Sequence, residues 1–144
     1  MTERISHKGT IIAIIIKATF KKDGIEFFTP DEFSQQLGYM NRVKGYKVSA
    51  HTHKRVEQSS MPTHEVIYVK SGKICVVLYD NDNSLVDERI LTTGDIILLA
   101  SGGHSIEWLE DSQLVEIKQG PYSDDDKISF TPVNRTDDGK IFDQ

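Results

Sequence analysis

The stretch YKVSAHTHKRVEQSSMPTHEVIYVKSG, residues 46–72, holds three of the chain's five histidines and two glutamates. Imidazole and carboxylate bind divalent transition metals and carry protons near neutral pH, so chemistry is expected here. If YKVSAHTH is a strand, side chains alternate between faces, and His51 and His53 point the same way, able to share one ion. Two glutamates compete for the next place. Three residues separate Glu57 from His53, and eleven separate Glu65 from it. Glu57 sits in the polar run KRVEQSS and also reads as a solvated loop residue. Glu65 opens EVIYVK, where it shares a face with Ile67 and Val69, and a carboxylate at the head of an apolar face needs a cation or donors.

A fourth candidate comes later, in GDIILLASGGHSIEWL, where His104 follows a glycine turn at the head of a strand. It reads either as a ligand or as a satisfied surface histidine. Beyond it, LVEIKQGPY supplies Glu116, Lys118 and Tyr122 as candidates for substrate contact. Along that strand either Glu116 and Lys118 or Val115, Ile117 and Gln119 face inward, and apolar residues inside is the commoner arrangement. Trp108 could stack a sugar ring, or belong to the core or to a dimer interface.

These residues need a frame, and the sequence predicts a β-rich one. TIIAIIIKATF is β-branched and reads as a strand; GIEFFTP, after the KKDG turn, reads as another, so the chain is expected to open with a β-ribbon. TPDEFSQQLG carries a helix start, with Thr29 as cap, Pro30 in the first turn, Asp31 and Glu32 near the positive end of the dipole, and Gly38 to close it. One short helix is expected there. From Gly38 onward short apolar stretches alternate with turn chemistry at KG, SG, DNDN, TTGD, SGG and EDS, the rhythm of an antiparallel sandwich or barrel. The polar residues from Ser123 onward predict a tail wrapped on the surface or loose.

The motif spacing resembles the cupin superfamily. Gly45, five residues, His51, Thr52 and His53 match the first half of its first motif; Glu65, six residues and Gly72 match the second half, with KRVEQSSMPT enlarging the loop between. Gly94, then Ala100, Ser101 and Gly102, then His104, resemble a degraded second motif with the proline replaced and Trp108 in place of asparagine. The resemblance covers about residues 37–119. It implies an all-β, double-stranded β-helix (jelly-roll barrel) in a single domain, 1–144, with the N-terminal ribbon and helix in 1–36 and a tail in 120–144. It also implies a divalent transition metal (Fe, Mn, Zn or Ni) held by His51, His53, Glu65 and His104. Glu57, Lys118 and Tyr122 are then the candidates for catalysis around it. EIKQGPY is similar to a small group of cupins associated with surface-polysaccharide genes, which implies a sugar or sugar-nucleotide ligand.

Composition narrows the partners. A net charge of −5 argues against a nucleic-acid surface. The apolar run at 10–20 is too short and too interrupted by Lys17 to span a membrane, so the cytoplasm is the expected compartment. Cys75, the only cysteine, lies in ICVVLY and is expected to be buried. An exposed Thr10–Phe20 strand would aggregate, so it is expected to pair with another strand, in a homodimer in one version. Three functions remain open: a metal-dependent enzyme (isomerase, lyase or oxygenase), a non-catalytic sugar-binding module, and a metal-free sugar epimerase or isomerase using a histidine base with a carboxylate and a tyrosine. In the last, His64 cannot be the base if Glu65 faces inward.

Overall fold

Of TIIAIII, Thr10–Ile16, the last five residues are all buried. A strand apolar on both faces is stable only inside a covered sheet. The computed structural model, which describes residues 1–53, 62–120 and 128–133, puts this strand (β2) between β1 (Thr2–His7) and β8 (Ile96–Leu99). β5 (Glu65–Ser71) and β10 (Gln113–Lys118) complete a five-stranded antiparallel sheet in the order β1-β2-β8-β5-β10. A second sheet holds β7 (Leu85–Thr92), β6 (Lys73–Tyr79) and β9 (Gly103–Trp108) in that order. The third is a two-stranded ribbon of β3 (Gly24–Phe27) and β4 (Gly38–Asn41). The protein is therefore all-β, with no closed barrel and no helix among the described residues.

The period of two decides which core each residue joins. Ala13 and Ile15 of β2, Ile97 and Leu99 of β8, and Ile67 and Val69 of β5 turn toward Ile74, Val76 and Leu78 of β6 to form the main core between the two larger sheets. Their neighbours Ile14, Ile16, Leu98 and Ala100 point the other way, onto Phe28 and the partly buried Phe20, Phe33 and Tyr39. Phe20 meets Phe28 and Tyr39 edge-on, at 5.4 and 4.9 Å between centroids. Cys75 is buried as expected, and burial, then the nearby Glu88 and Glu107 carboxylates, push its thiol upward in pKa.

Three expectations are corrected. β2 and GIEFFTP are both strands, yet β2 pairs with β1, not with β3; TERISH had a single clear hydrophobe, Ile5, to announce it. No helix forms after Thr29. The Thr29 hydroxyl accepts from Leu37 N at 3.1 Å and donates to Gln36 at 2.8 Å, while the Gln36 amide donates to the Pro30 and Phe33 carbonyls at 2.9 and 3.0 Å. Side chains thus satisfy this loop's backbone, which competes with helix formation. YKVSAHTH is not a strand, because it has no pairing partner among the described residues.

The turn chemistry holds the two sheets together. Asp95, 3 % exposed, receives Thr92 N and Ala18 N at 2.9 Å each and the Lys17 ammonium at 3.1 Å. Burial opposes its ionisation, but those donors outweigh burial and hold its carboxyl below the usual 3.8. A depressed folded value means that this stabilisation is complete above the ordinary carboxylate range and is lost as pH falls through the folded value. Asp95→Asn should lower unfolding free energy by about 3 kcal/mol near neutral pH. The gap from wild type should shrink as pH falls below the ordinary carboxylate range and the wild-type carboxyl protonates too. Urea titrations in both pH ranges measure this; equal stability near neutral pH would contradict it.

Candidate functional site

β5, β9 and β10 meet the segment 128–132 around a cleft of about 830 Å³. Strand register places its polar groups. Lys118 is the cross-strand partner of Glu65, and His104, second in β9, lies opposite Leu78. Glu65 continues the inward face of Ile67 and Val69 past the end of the apolar core, so its carboxylate enters the cleft. There His104 Nε2 lies 3.1 Å from Oε2 and the Lys118 ammonium 3.8 Å from Oε1. The side chains of Glu65 and Lys118 are largely buried and that of His104 is about one-third exposed. Glu116 lines the same cleft, with Trp108 and Phe130 as aromatic walls.

Along β10 the commoner arrangement does not hold. Glu116 and Lys118 face the cleft, while Val115 and Ile117 are exposed at 44 % and 56 % on the outer face. The reason is positional: at this end of the sheet the interior is a polar cleft, and Glu65 offers Lys118 a countercharge.

Behind Glu65, on the opposite face of β5, His64 is 3 % exposed and stacks on Phe33 at 4.8 Å. Burial pushes the pKa of His64 down, favouring the neutral ring. Gln119 closes a ring of hydrogen bonds around it: its carbonyl accepts from His64 N at 3.0 Å, and its amide donates to Ser34 Oγ at 2.6 Å, which lies 3.2 Å from His64 Nδ1. This clamp ties the strand ends that carry Glu65 and Lys118 to the loop after β3. His64 consequently has no access to the cleft from its buried position, as its neighbour relation to Glu65 requires.

The segment 128–133 was expected only as tail. Phe130 meets Tyr79 edge-on at 5.3 Å, and Val133 N donates to Asn83 O at 2.8 Å. Gly102 and Gly103 make the space. At Gly102, φ of +72° and a Cβ that would collide with the Tyr79 carbonyl both exclude a side chain; at Gly103 a Cβ would sit 2.6 Å from the Phe130 ring. The glycine turn was legible in the sequence, but its neighbour across space was not.

Glu65, His104 and Lys118 are thus brought together, while His51 and His53 stand apart as an exposed pair with ring centroids 5.1 Å apart. His51 Nδ1 lies 2.8 Å from the Ser49 carbonyl. Among the described residues no three of His, Cys, Asp and Glu are grouped to hold a metal ion. Glu57 and Tyr122 lie outside the described residues. Among the described residues no helix is long and apolar enough to cross a membrane. No protein family, curated protein or solved structure matches the chain.

What the cleft offers chemically is a carboxylate shared by an imidazole and an ammonium. The imidazole can exchange protons with a bound molecule while Glu65 fixes its ring, and Lys118 can hold a developing negative charge. The clamp makes a prediction of its own. Gln119→Ala should cost about 1–3 kcal/mol, since it orphans the buried His64 N–H. Chemical denaturation compares the variant with wild type; a change within about 0.5 kcal/mol would show that the ring is not a structural clamp.

Proposed function

We propose that this protein is a jelly-roll protein of the cupin kind that takes a small, polar, carbohydrate-like molecule into the cleft and acts on it by acid–base chemistry. The observation that carries this reading is the Glu65 carboxylate held between His104 and Lys118 inside a cleft of about 830 Å³. That volume lies in the range of small-molecule sites. The mixture of lining groups supports a polyhydroxylated ligand: carboxylates accept from hydroxyls, Lys118 and serines donate to them, and the faces of Trp108 and Phe130 suit the C–H side of a ring. His104 is the proton-transfer group, Glu65 its orienting carboxylate and Lys118 the anchor for an anionic or carbonyl oxygen. A thermal-shift panel of sugars, sugar acids and sugar nucleotides tests this. At least one member should raise Tm by several degrees, as expected at about 100-fold over Kd, and Glu65→Gln and His104→Gln should abolish the response. No response in wild type, or an undiminished response in both variants, contradicts the site. Product analysis on the stabilising compound then separates an enzyme from a binding module.

A divalent metal is the second reading. The contact of His51 Nδ1 with the Ser49 carbonyl favours it, since ligating imidazoles are commonly fixed in this way through their other nitrogen. Under this reading His51, His53, Glu65 and His104 hold the ion, which would supply a Lewis acid to bound oxygens. Elemental analysis should then find about one metal per chain in wild type and none after His51→Ala with His53→Ala. Metal-free wild type with no affinity for added divalent ions would remove this reading and leave the acid–base one standing.

A further inference from the structure

β9 and β10 are edge strands of the two larger sheets, and both line the cleft. Alternation turns His104, Ile106 and Trp108 of β9, and Leu114, Glu116 and Lys118 of β10, toward it. His104 and Lys118 meet at the Glu65 carboxylate, and from that junction both strands lead to the connection at 109–112. Glu116 therefore lies one step along from Lys118, about 7 Å down the strand. Trp108 lies beyond it, at the far end of the same path. A single sugar ring with its substituents spans such a step.

The charges along this path do not balance. Lys118 is the only lysine or arginine lining the cleft among the described residues, and it faces Glu65 at 3.8 Å. Glu116 is exposed in the cleft and has no hydrogen bond or ion pair among the described residues. While His104 is neutral, two carboxylates against one ammonium leave negative charge in excess, and a cleft of one sign concentrates ligands of the other. Trp108, 54 % exposed, offers an indole face in the same cleft. A carboxylate beside an open aromatic face suits an organic ammonium ion: the first gives a charge-assisted hydrogen bond, the second an electron-rich surface. Taking the cleft as the small-molecule site proposed above, we infer that its ligand is an amino sugar whose ammonium group pairs with Glu116 and whose neighbouring C–H face lies on Trp108. Those C–H groups share the ammonium's charge, which strengthens their contact with the indole. The oxygen-bearing end of the ring then lies at His104 and Lys118. A carboxylate or phosphate on the ligand is admitted only at the Lys118 end, since Glu116 repels it further along.

Isothermal titration calorimetry of the whole chain provides the test, at a pH where the amine is protonated. The probes are a series of aminohexoses with the amine at different ring positions, each paired with its hydroxyl and N-acetyl counterparts. At least one aminohexose should bind about 10-fold or more tightly than both counterparts, and added salt should shrink that preference. Glu116→Gln should erase the preference while the hydroxyl counterpart keeps its affinity. Trp108→Leu should reduce it by about 3-fold. Both positions are exposed, so the melting temperatures of the ligand-free variants should match wild type. Hexoses that bind with no preference for the amine, or a preference equal in wild type and Glu116→Gln, overturn the inference and leave the site itself standing. Failure of every probe to bind, amine-bearing or not, overturns it together with the reading of the cleft on which it rests.

Discussion

The central constraint is the burial of β2 and β8 on both faces. Residues 12–16 and 97–100 are almost wholly removed from water, and each fully buried aliphatic side chain contributes on the order of 2 kcal/mol. Strands of this kind cannot sit at an edge facing solvent, so other parts of the chain must cover both sides. One side is covered by the sheet containing β6, which makes the main core. The other is covered by Phe28, Phe33 and Tyr39 from the loop and ribbon that follow β2. The ribbon's exposed outer face is the consequence: its inner face is committed to the second core.

The same constraint positions the site. β5 lies beside β8, so Ile67 and Val69 follow the core and Glu65, two residues earlier on that face, emerges where the core ends. A lone carboxylate there would lose hydration without compensation, and His104 from one sheet and Lys118 from the other supply it. The polar cluster therefore bridges both sheets at the mouth of the cleft. Behind it, Gln119 and His64 fix the strand ends, so the side facing a ligand is set by packing on the side facing away.

The sequence carries its local signals openly and its non-local ones hardly at all. EVIYVK announces β5, the unbroken apolar run DIILLA announces β8 and the stretch after the glycine turn announces β9, and Gly72, Gly94 and Gly102 fall in turns with positive φ where the turn chemistry predicts them. Pairing partners depend on residues far apart in the chain, so the local pattern of β2 does not reveal that it pairs with β1 and β8. The loop after Thr29 has every local mark of a helix start, yet Thr29 and Gln36 spend their hydrogen bonds closing a loop. β10 misled for a physical reason: counting hydrophobes gives the inner face only where the interior is apolar, and at Glu116 and Lys118 it is a polar cleft. Phe130 carried no signal at all, since its contact with Gly103 and Tyr79 exists only in the fold.

The central claim is that the cleft at Glu65 and His104 is a binding site rather than a packing defect. A crystal structure at high resolution, with anomalous data collected at transition-metal edges, addresses it most directly. The account predicts a small molecule or an ion within hydrogen-bond or ligand distance of the Glu65 carboxylate and His104 Nε2, with the cleft open around it. Glu65 turned to bulk solvent, with the cleft closed by side chains of the chain itself, would contradict it.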